Sequence, residues 1–135
     1  MAENSIRLDI VTPAGLLMSE NVAMLNLPAS LGSMGVLKNH APLMTTLDIG
    51  MIKYVQDDKE YFLAVHGGFA EVKDNVVIVL ADAAERADEI DVPRAEAAKQ
   101  GAQERLSNRT ADLDVLRAES ALHRALARIK ASRKI

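Results

Sequence analysis

From Ile6 to Asp82 apolar residues tend to recur at every second position. Ile6, Leu8 and Ile10 alternate with Arg7, Asp9 and Val11, the pattern of a strand with one face buried. Pro13 and Gly15 then break the run as turn formers. Further short runs cover 22–27, 35–37, 51–56, 60–66 and 76–81, and the breaks between them carry Gly, Pro, Asn or Asp. Asp57-Asp58 separates two alternating segments and reads as a hairpin turn, and Asp74-Asn75 does the same between Ala70–Lys73 and Val76–Leu80. Turn signals at intervals of roughly ten residues predict an all-β sandwich or small barrel rather than a βαβ sheet. Gly67-Gly68, just before Phe69, predicts a strand end where the backbone bends or closely approaches another segment.

Beyond Asp82 the alternation ends and Ala, Glu and Arg take over, which is helix composition. Asp91 is a good N-cap, with Pro93 in the first turn, where a missing N–H does no harm. This first helix runs to about Leu106, and Gly101 in its middle costs about 1 kcal/mol relative to Ala. Ser107-Asn108-Arg109-Thr110 breaks it. Asp112 and Asp114 then set negative charge at the positive end of a second helix. That helix extends to about Ala131, with Arg128, Lys130, Arg133 and Lys134 at its C-terminal end. Val115, Leu122, Leu126 and Ile129 form an apolar stripe along it, and the facing surface of the first helix is mostly Ala: Ala95, Ala98 and Ala102. Small residues let helices approach closely but bury little area, so this hairpin is weakly held and can dock, swing away or open. The expected architecture is an all-β sandwich N-terminal domain, residues 1–85, followed by an α-helical hairpin C-terminal domain, residues 86–135.

Composition sharpens that division. The chain has 135 residues, and its four aromatic side chains, Tyr54, Tyr61, Phe62 and Phe69, all lie within residues 54–69. Eight of nine Arg lie from residue 81 onward, whereas nine of eleven Val precede residue 82. The net charge of −3 is split between −6 on residues 1–85 and +3 on residues 86–135. A basic tail on an acidic body calls for an acidic partner, a polyphosphate, or docking on its own front half. With 26% charged residues and no run of eighteen apolar ones, the chain is neither a disordered tail nor a membrane span. The absence of Cys excludes a disulfide scaffold and thiolate chemistry. The start MAENSIRLDI lacks the profile of a signal or transit peptide, so neither is expected. The six Met, all within residues 1–51, read as gap-filling core; for Met34, between Gly32 and Gly35, the alternative is exposure at a partner surface.

Candidate chemistry is sparse. Arg117, Arg124 and Arg128 fall within about 40° of one another on a helix and form one basic ridge. Such a ridge is either a solvated face or a surface for phosphates or carboxylates, which the forked guanidinium suits. Nucleic-acid binding is not expected, for want of helix-turn-helix spacing or aromatic interleaving. His40, His66 and His123 have no metal-ligand spacing, and no metal is expected. The carboxylate pairs Asp57-Asp58 and Asp88-Glu89 sit at turns, and phosphate-loop, dinucleotide and nucleophile-elbow motifs are missing. Nothing argues for an enzyme.

Four stretches carry a resemblance: Val11-Thr12-Pro13-Ala14-Gly15; Gly32-Ser33-Met34-Gly35-Val36-Leu37-Lys38-Asn39-His40-Ala41-Pro42; Gly67-Gly68-Phe69-Ala70-Glu71-Val72; and Val79-Leu80-Ala81-Asp82-Ala83-Ala84-Glu85-Arg86. Over its whole length the chain resembles the epsilon subunit of F-type ATP synthases. The resemblance implies a flattened β-sandwich with a helical hairpin, in a non-catalytic rotor subunit of the central stalk. It implies that the sandwich binds the gamma subunit and rests on the c-ring, coupling ion flow to rotation at the cytoplasmic face of the membrane, without inserting into it. Ser30–His40 matches the ring-contact loop, which makes Ser33, Met34 and His40 its candidates. Ser33 stands where many members are acidic, and Lys38-Asn39 where many have Pro-Gly; Asn can supply the left-handed conformation of that Gly.

The hairpin of this family looks like a two-state element. Docked, it lies on the sandwich; extended, it rises along gamma towards the catalytic alpha/beta subunits and inserts near an acidic segment of a beta subunit, blocking hydrolysis, a contact for which Arg117, Arg124 and Arg128 are the candidates. No cofactor is required, but some members bind a regulatory ATP through an I/L-D-x-x-R-A motif, present here as Ile90-Asp91-Val92-Pro93-Arg94-Ala95. By resemblance Glu85 and Asp91 would hold the adenine end, and Arg94, Arg124 and Arg128 would face the phosphates. Asp91 is also the expected N-cap, and Gly101 stands where ATP-binding members can carry another Arg. The alternative reading is a free-standing nucleotide-sensing module of the same architecture.

Overall fold

A computed structural model describes residues 5–133; Lys134, expected at the end of the second helix, lies outside them. Eight strands precede two helices: β1 (Ile6–Thr12), β2 (Gly15–Val22), β3 (Met24–Ala29), β4 (Gly32–Val36), β5 (Leu43–Gln56), β6 (Lys59–Lys73), β7 (Val76–Ala81), β8 (Ala84–Arg86), α1 (Val92–Ser107) and α2 (Val115–Ser132). The strands form one hydrogen-bonded sheet in the order β2-β1-β7-β6-β5-β3-β4, with β8 added to β6. Every pairing is antiparallel except β1 with β7. The sheet closes on itself as a β-sandwich around one core, which includes Ile6, Leu8, Ile10, Leu25, Ile52 and Val79. The sandwich-plus-hairpin expectation therefore holds.

Two turns follow directly from local chemistry. Asp57-Asp58 has φ of 52° and 62°, and Asp74-Asn75 has 52° and 61°, the left-handed pair that a two-residue hairpin turn requires. Asp and Asn tolerate that region better than other non-glycine residues. Asn39 likewise sits at φ 66°, so it does supply the left-handed turn. Its N–H donates to Asn75 Oδ1 at 2.6 Å, tying the loop after β4 to the β6–β7 turn.

The strands differ from expectation in length. Leu43–Gln56 and Lys59–Lys73 are continuous strands of 14 and 15 residues, and Gly67-Gly68 lies inside β6 instead of ending it. Gly67 and Gly68 have φ of 80° and 123°. A Cβ on Gly68 would stand 2.1 Å from the carbonyl oxygen of Leu80, so the expected close approach is real. Opposite them Leu47 pairs with Gly68 and Ile49 with His66, leaving Asp48 as an irregularity in the ladder. The kink shifts the inward phase of β6. Leu63 and Val65 enter the core before it, and Ala70 and Val72 after it. The even positions before the kink point the other way: Phe62 and Ala64 join a second cluster with Ile49, Met51, Ile90, Ala127 and Ala131.

That second cluster is where the hairpin attaches. α2 packs on β5 and β6, and α1 packs along α2. Both helices start as expected: Asp91 Oδ1 accepts the N–H of Arg94 at 3.1 Å, and Asp114 Oδ1 that of Arg117 at 3.0 Å. The apolar stripe is less buried than expected. Ile129 is buried and Val115 and Leu122 half-buried, but Leu126 is exposed, and most of what α2 buries is Ala118, Ala125, Ala127 and Ala131. On α1 Ala95 and Ala102 are buried and Ala98 is not.

Candidate functional site

The chemistry that the fold assembles lies where α2 meets the kinked half of β6. His66 precedes the two glycines, and the strand phase aims its imidazole away from the sandwich core towards α2; only 5% of the residue is exposed. Its backbone N–H donates to the carbonyl of Ala83 at 2.9 Å, which places the Ala83–Arg86 segment alongside. Glu85 on β8 thereby comes under α2, where Arg128 Nε donates to Glu85 Oε1 at 2.5 Å. His66 Nε2 stands 3.6 Å from the same oxygen. That is too far for a hydrogen bond, and neither ring nitrogen of His66 has a partner. Burial first, and the Arg128 guanidinium second, hold the imidazole below its ordinary pKa against a weaker opposing pull from Glu85; Arg124 acts in the same sense as Arg128.

The predicted nucleotide residues divide into two groups. Glu85, Arg124 and Arg128 surround His66, and Arg124 and Arg128 are half-buried, so this stretch of the ridge is not a solvated face. Glu85 and Arg128 bond to each other through Arg128 Nε and Glu85 Oε1. Asp91 and Arg94 are exposed at the start of α1, where the Asp91 carboxylate caps the helix. Ile90 and Ala95 are buried, and Ile90 packs with Ala127 and Ala131. Arg117 lies a helical distance away and lines, with Arg105, Asp112, Asp114 and Arg124, an open cleft between the helices.

The candidate ring-contact residues form a separate place. Ser33 is exposed on β4, whereas Met34 is half-buried and packs against the sandwich core, so of its two readings core filling is the one seen. His40 is half-buried in the loop after β4, its Nδ1 2.7 Å from the Ala41 carbonyl. Among the described residues no cluster of His, Cys, Asp and Glu could hold a metal ion, and no helix is long and apolar enough to cross a membrane.

Two features escaped the sequence reading. His66 showed no spacing to mark it, although the Gly pair after it was a signal for a change of strand phase. The second is an apolar row on the outer face. Val11 pairs with Leu16 on one side and Leu80 on the other, and Leu80 pairs with Phe69. Leu16, Leu80 and Phe69 are exposed, as is Met44 on β5. Phe69 is outside because the kink moved Ala70 in.

Comparison with known proteins agrees with this architecture. The family model for the ATP synthase delta/epsilon chain β-sandwich domain matches residues 5–87, and that for the long α-helix domain of the same chain matches residues 88–133. The ATP synthase epsilon chain of Desulforamulus reducens is 51% identical over 126 residues, 93% of this chain and 96% of the relative. That of Pelotomaculum thermopropionicum is 55% identical over 110 residues, 82% of each. A chain in the cryo-EM structure of the Euglena gracilis mitochondrial ATP synthase, an OSCP/F1/c-ring assembly, superposes with a TM-score of 0.80 at 25% identity, covering 91% of this chain and 78% of that one. Two domain matches that together span nearly the whole chain, and relatives of about half identity along it, place the protein in the ATP synthase delta/epsilon family, as an epsilon subunit of the F-type enzyme.

Proposed function

We propose that this chain is a non-catalytic rotor subunit of the central stalk, in which the sandwich, residues 1–85, is the anchored part and the hairpin, residues 86–135, a displaceable brake on ATP hydrolysis. The observation that carries this reading is how thinly α2 is attached. Its cluster with the sandwich side is built on Ala127 and Ala131, with one ion pair between Arg128 and Glu85. Each buried methyl contributes only about 0.8 kcal/mol, and an ion pair about one-third exposed about 1 kcal/mol or less. An element held this way can leave without disturbing the sandwich core.

Anchoring is supported by the row of Leu16, Val11, Leu80 and Phe69, an apolar strip suited to the gamma subunit, and by the exposed loop around Ser33, suited to the polar loops of the c-ring. The Euglena relative belongs to an assembly with F1 and the c-ring. In this reading the subunit sits at the cytoplasmic face of the membrane, and when the hairpin extends among the catalytic alpha/beta subunits, Arg117, Arg124 and Arg128 meet an acidic segment of a beta subunit. ATP is the regulatory ligand of the docked state, with Glu85, Ile90, Asp91, Arg94, Ala95, Arg124 and Arg128 at its site. By binding that state better, it opposes inhibition.

Hydrolysis by the catalytic subcomplex, measured with full-length chain and with residues 86–135 deleted, tests the brake. Full-length chain is expected to slow hydrolysis and the deletion to relieve it; equal rates would overturn the brake. Calorimetric titration with ATP, repeated on Asp91→Ala and Arg124→Ala, tests the nucleotide site, and no heat from the folded parent would remove it.

A further inference from the structure

The imidazole of His66 is buried beneath α2 with no hydrogen bond at either nitrogen, 3.6 Å from the one carboxylate oxygen through which Arg128 holds the helix. A neutral ring tolerates this place. A charged one does not, because it adds a third cation to a site that already holds Arg124 and Arg128 and offers one carboxylate.

The remaining surroundings supply no second anion at the ring. On β5 the register partner of His66 is the uncharged Ile49, with the exposed Asp48 beside it, and on α2 the neighbouring His123 and Lys130 are exposed. On β6 its neighbours are Val65 and Gly67, and the Asp82 carboxylate lies over Gly67, exposed to solvent. In the short turn after β8, Ala87 is buried while Asp88 and Glu89 are exposed, Glu89 lying 4.0 Å from Arg86.

We propose that His66 makes hairpin docking pH-sensitive: protonation of its imidazole sets it against Arg128 for Glu85 Oε1 and releases α2 from the sandwich. The inference rests on the hairpin being displaceable, as proposed above. Its sign follows from linkage. The docked environment disfavours the imidazolium, so docking is at full strength above the pKa of a solvated His, about 6.5, and weakens as pH falls below it. The docking constant drops about tenfold per pH unit until the docked ring itself titrates. Once α2 leaves, His66 and Glu85 remain side by side on the sandwich, where they can pair in water. Acidification thus favours the extended arrangement.

The chain has neither Cys nor Trp, so a contact-quenching pair can be placed without background. Lys130 on α2 and Asp48 on β5 line the same groove; a bimane at position 130 (Lys130→Cys) with Asp48→Trp reports the docked state in the isolated full chain. Quenching is expected to be strong at pH 8 and to fall between pH 7 and 5, and to stay level over that range in His66→Gln. An NMR titration of the unsubstituted chain follows the His66 ring itself, which is expected to titrate below the ordinary imidazole value of about 6.5. Quenching that ignores pH, an unchanged response in His66→Gln, or a His66 midpoint at or above that value would each overturn the proposal. Should His66→Gln undock at every pH, the His66 midpoint decides alone. None of these readouts uses the catalytic subunits, so a failure to inhibit hydrolysis would strike the proposed function and leave this inference standing.

Discussion

Gly68 shows how much one residue sets. Its φ of 123° and the 2.1 Å separation between an added Cβ and the Leu80 carbonyl leave no room for a side chain. Gly68→Ala is expected to lose about 2–4 kcal/mol of stability in chemical denaturation, from strain and from the forced separation of β6 and β7. His66 stands two residues before Gly68, on the face of β6 where Phe62 and Ala64 join the hairpin cluster, so a surviving variant should also dock its hairpin less well. Glu85 and Arg128 work as a pair, each side chain about one-third exposed. A double-mutant cycle with Glu85→Gln and Arg128→Gln is expected to give a coupling of about 1 kcal/mol or less, read as hairpin docking. Of these residues, Gly67-Gly68 was legible in the sequence as a close approach. Its mid-strand position was not, because the pair punctuates a strand only if no partner ladder continues past it, and here β5 and β7 do continue.

At the scale of elements, the two helices contrast. α2 carries an apolar face and α1 does not, so α1 depends on its cap and on α2 for order. Gly101 is half-buried in α1, and a Cβ there would meet only Arg105 Nη1 at 4.0 Å. Gly101→Ala is expected to stabilise the hairpin by about 0.5–1 kcal/mol, visible as higher helix content and a later helix melt. The strands invert this balance: β5 and β6 pair over 13 positions and belong to both clusters, so they form the stiff axis of the molecule. Helix starts, the Asp57-Asp58 and Asp74-Asn75 turns, and the alternation of β1 were legible because each depends on residues a few positions apart. The full lengths of β5 and β6 were not, since Leu43–Leu47 and Phe69–Lys73 lose their alternation at the kink.

For the whole molecule the consequence is two levels of stability. The sandwich buries one continuous core, and the hairpin buries a second, Ala-rich cluster at its edge. Amide exchange is expected to release α1 and α2 through a sub-global opening at neutral pH, while β5 and β6 exchange only on global unfolding. With His66 held below its ordinary pKa, that opening should become more frequent as pH falls below about 6.5 while protection of the sandwich stays nearly constant. Hairpin and sandwich exchanging together at all pH values would show instead that they open as one unit.

The sequence by itself determined the elements and their division: period-two runs, left-handed Asp and Asn turns, Asp caps, and a basic Ala-rich tail on an acidic Val-rich body. These are local properties, decided by sterics and hydrogen bonds within one turn or one hairpin. Only the tertiary structure decided which residues meet. Glu85 and Arg128 are 43 positions apart, and their bond exists because β8 pairs with β6 and α2 packs on β6. His66 joins them because, ahead of the kink, it shares the face of β6 on which Phe62 and Ala64 meet the hairpin cluster. The apolar row of Leu16, Val11, Leu80 and Phe69 arises the same way, from four segments brought into register by the sheet. No period in the chain encodes such a register; it follows from the closing of the sheet around one core.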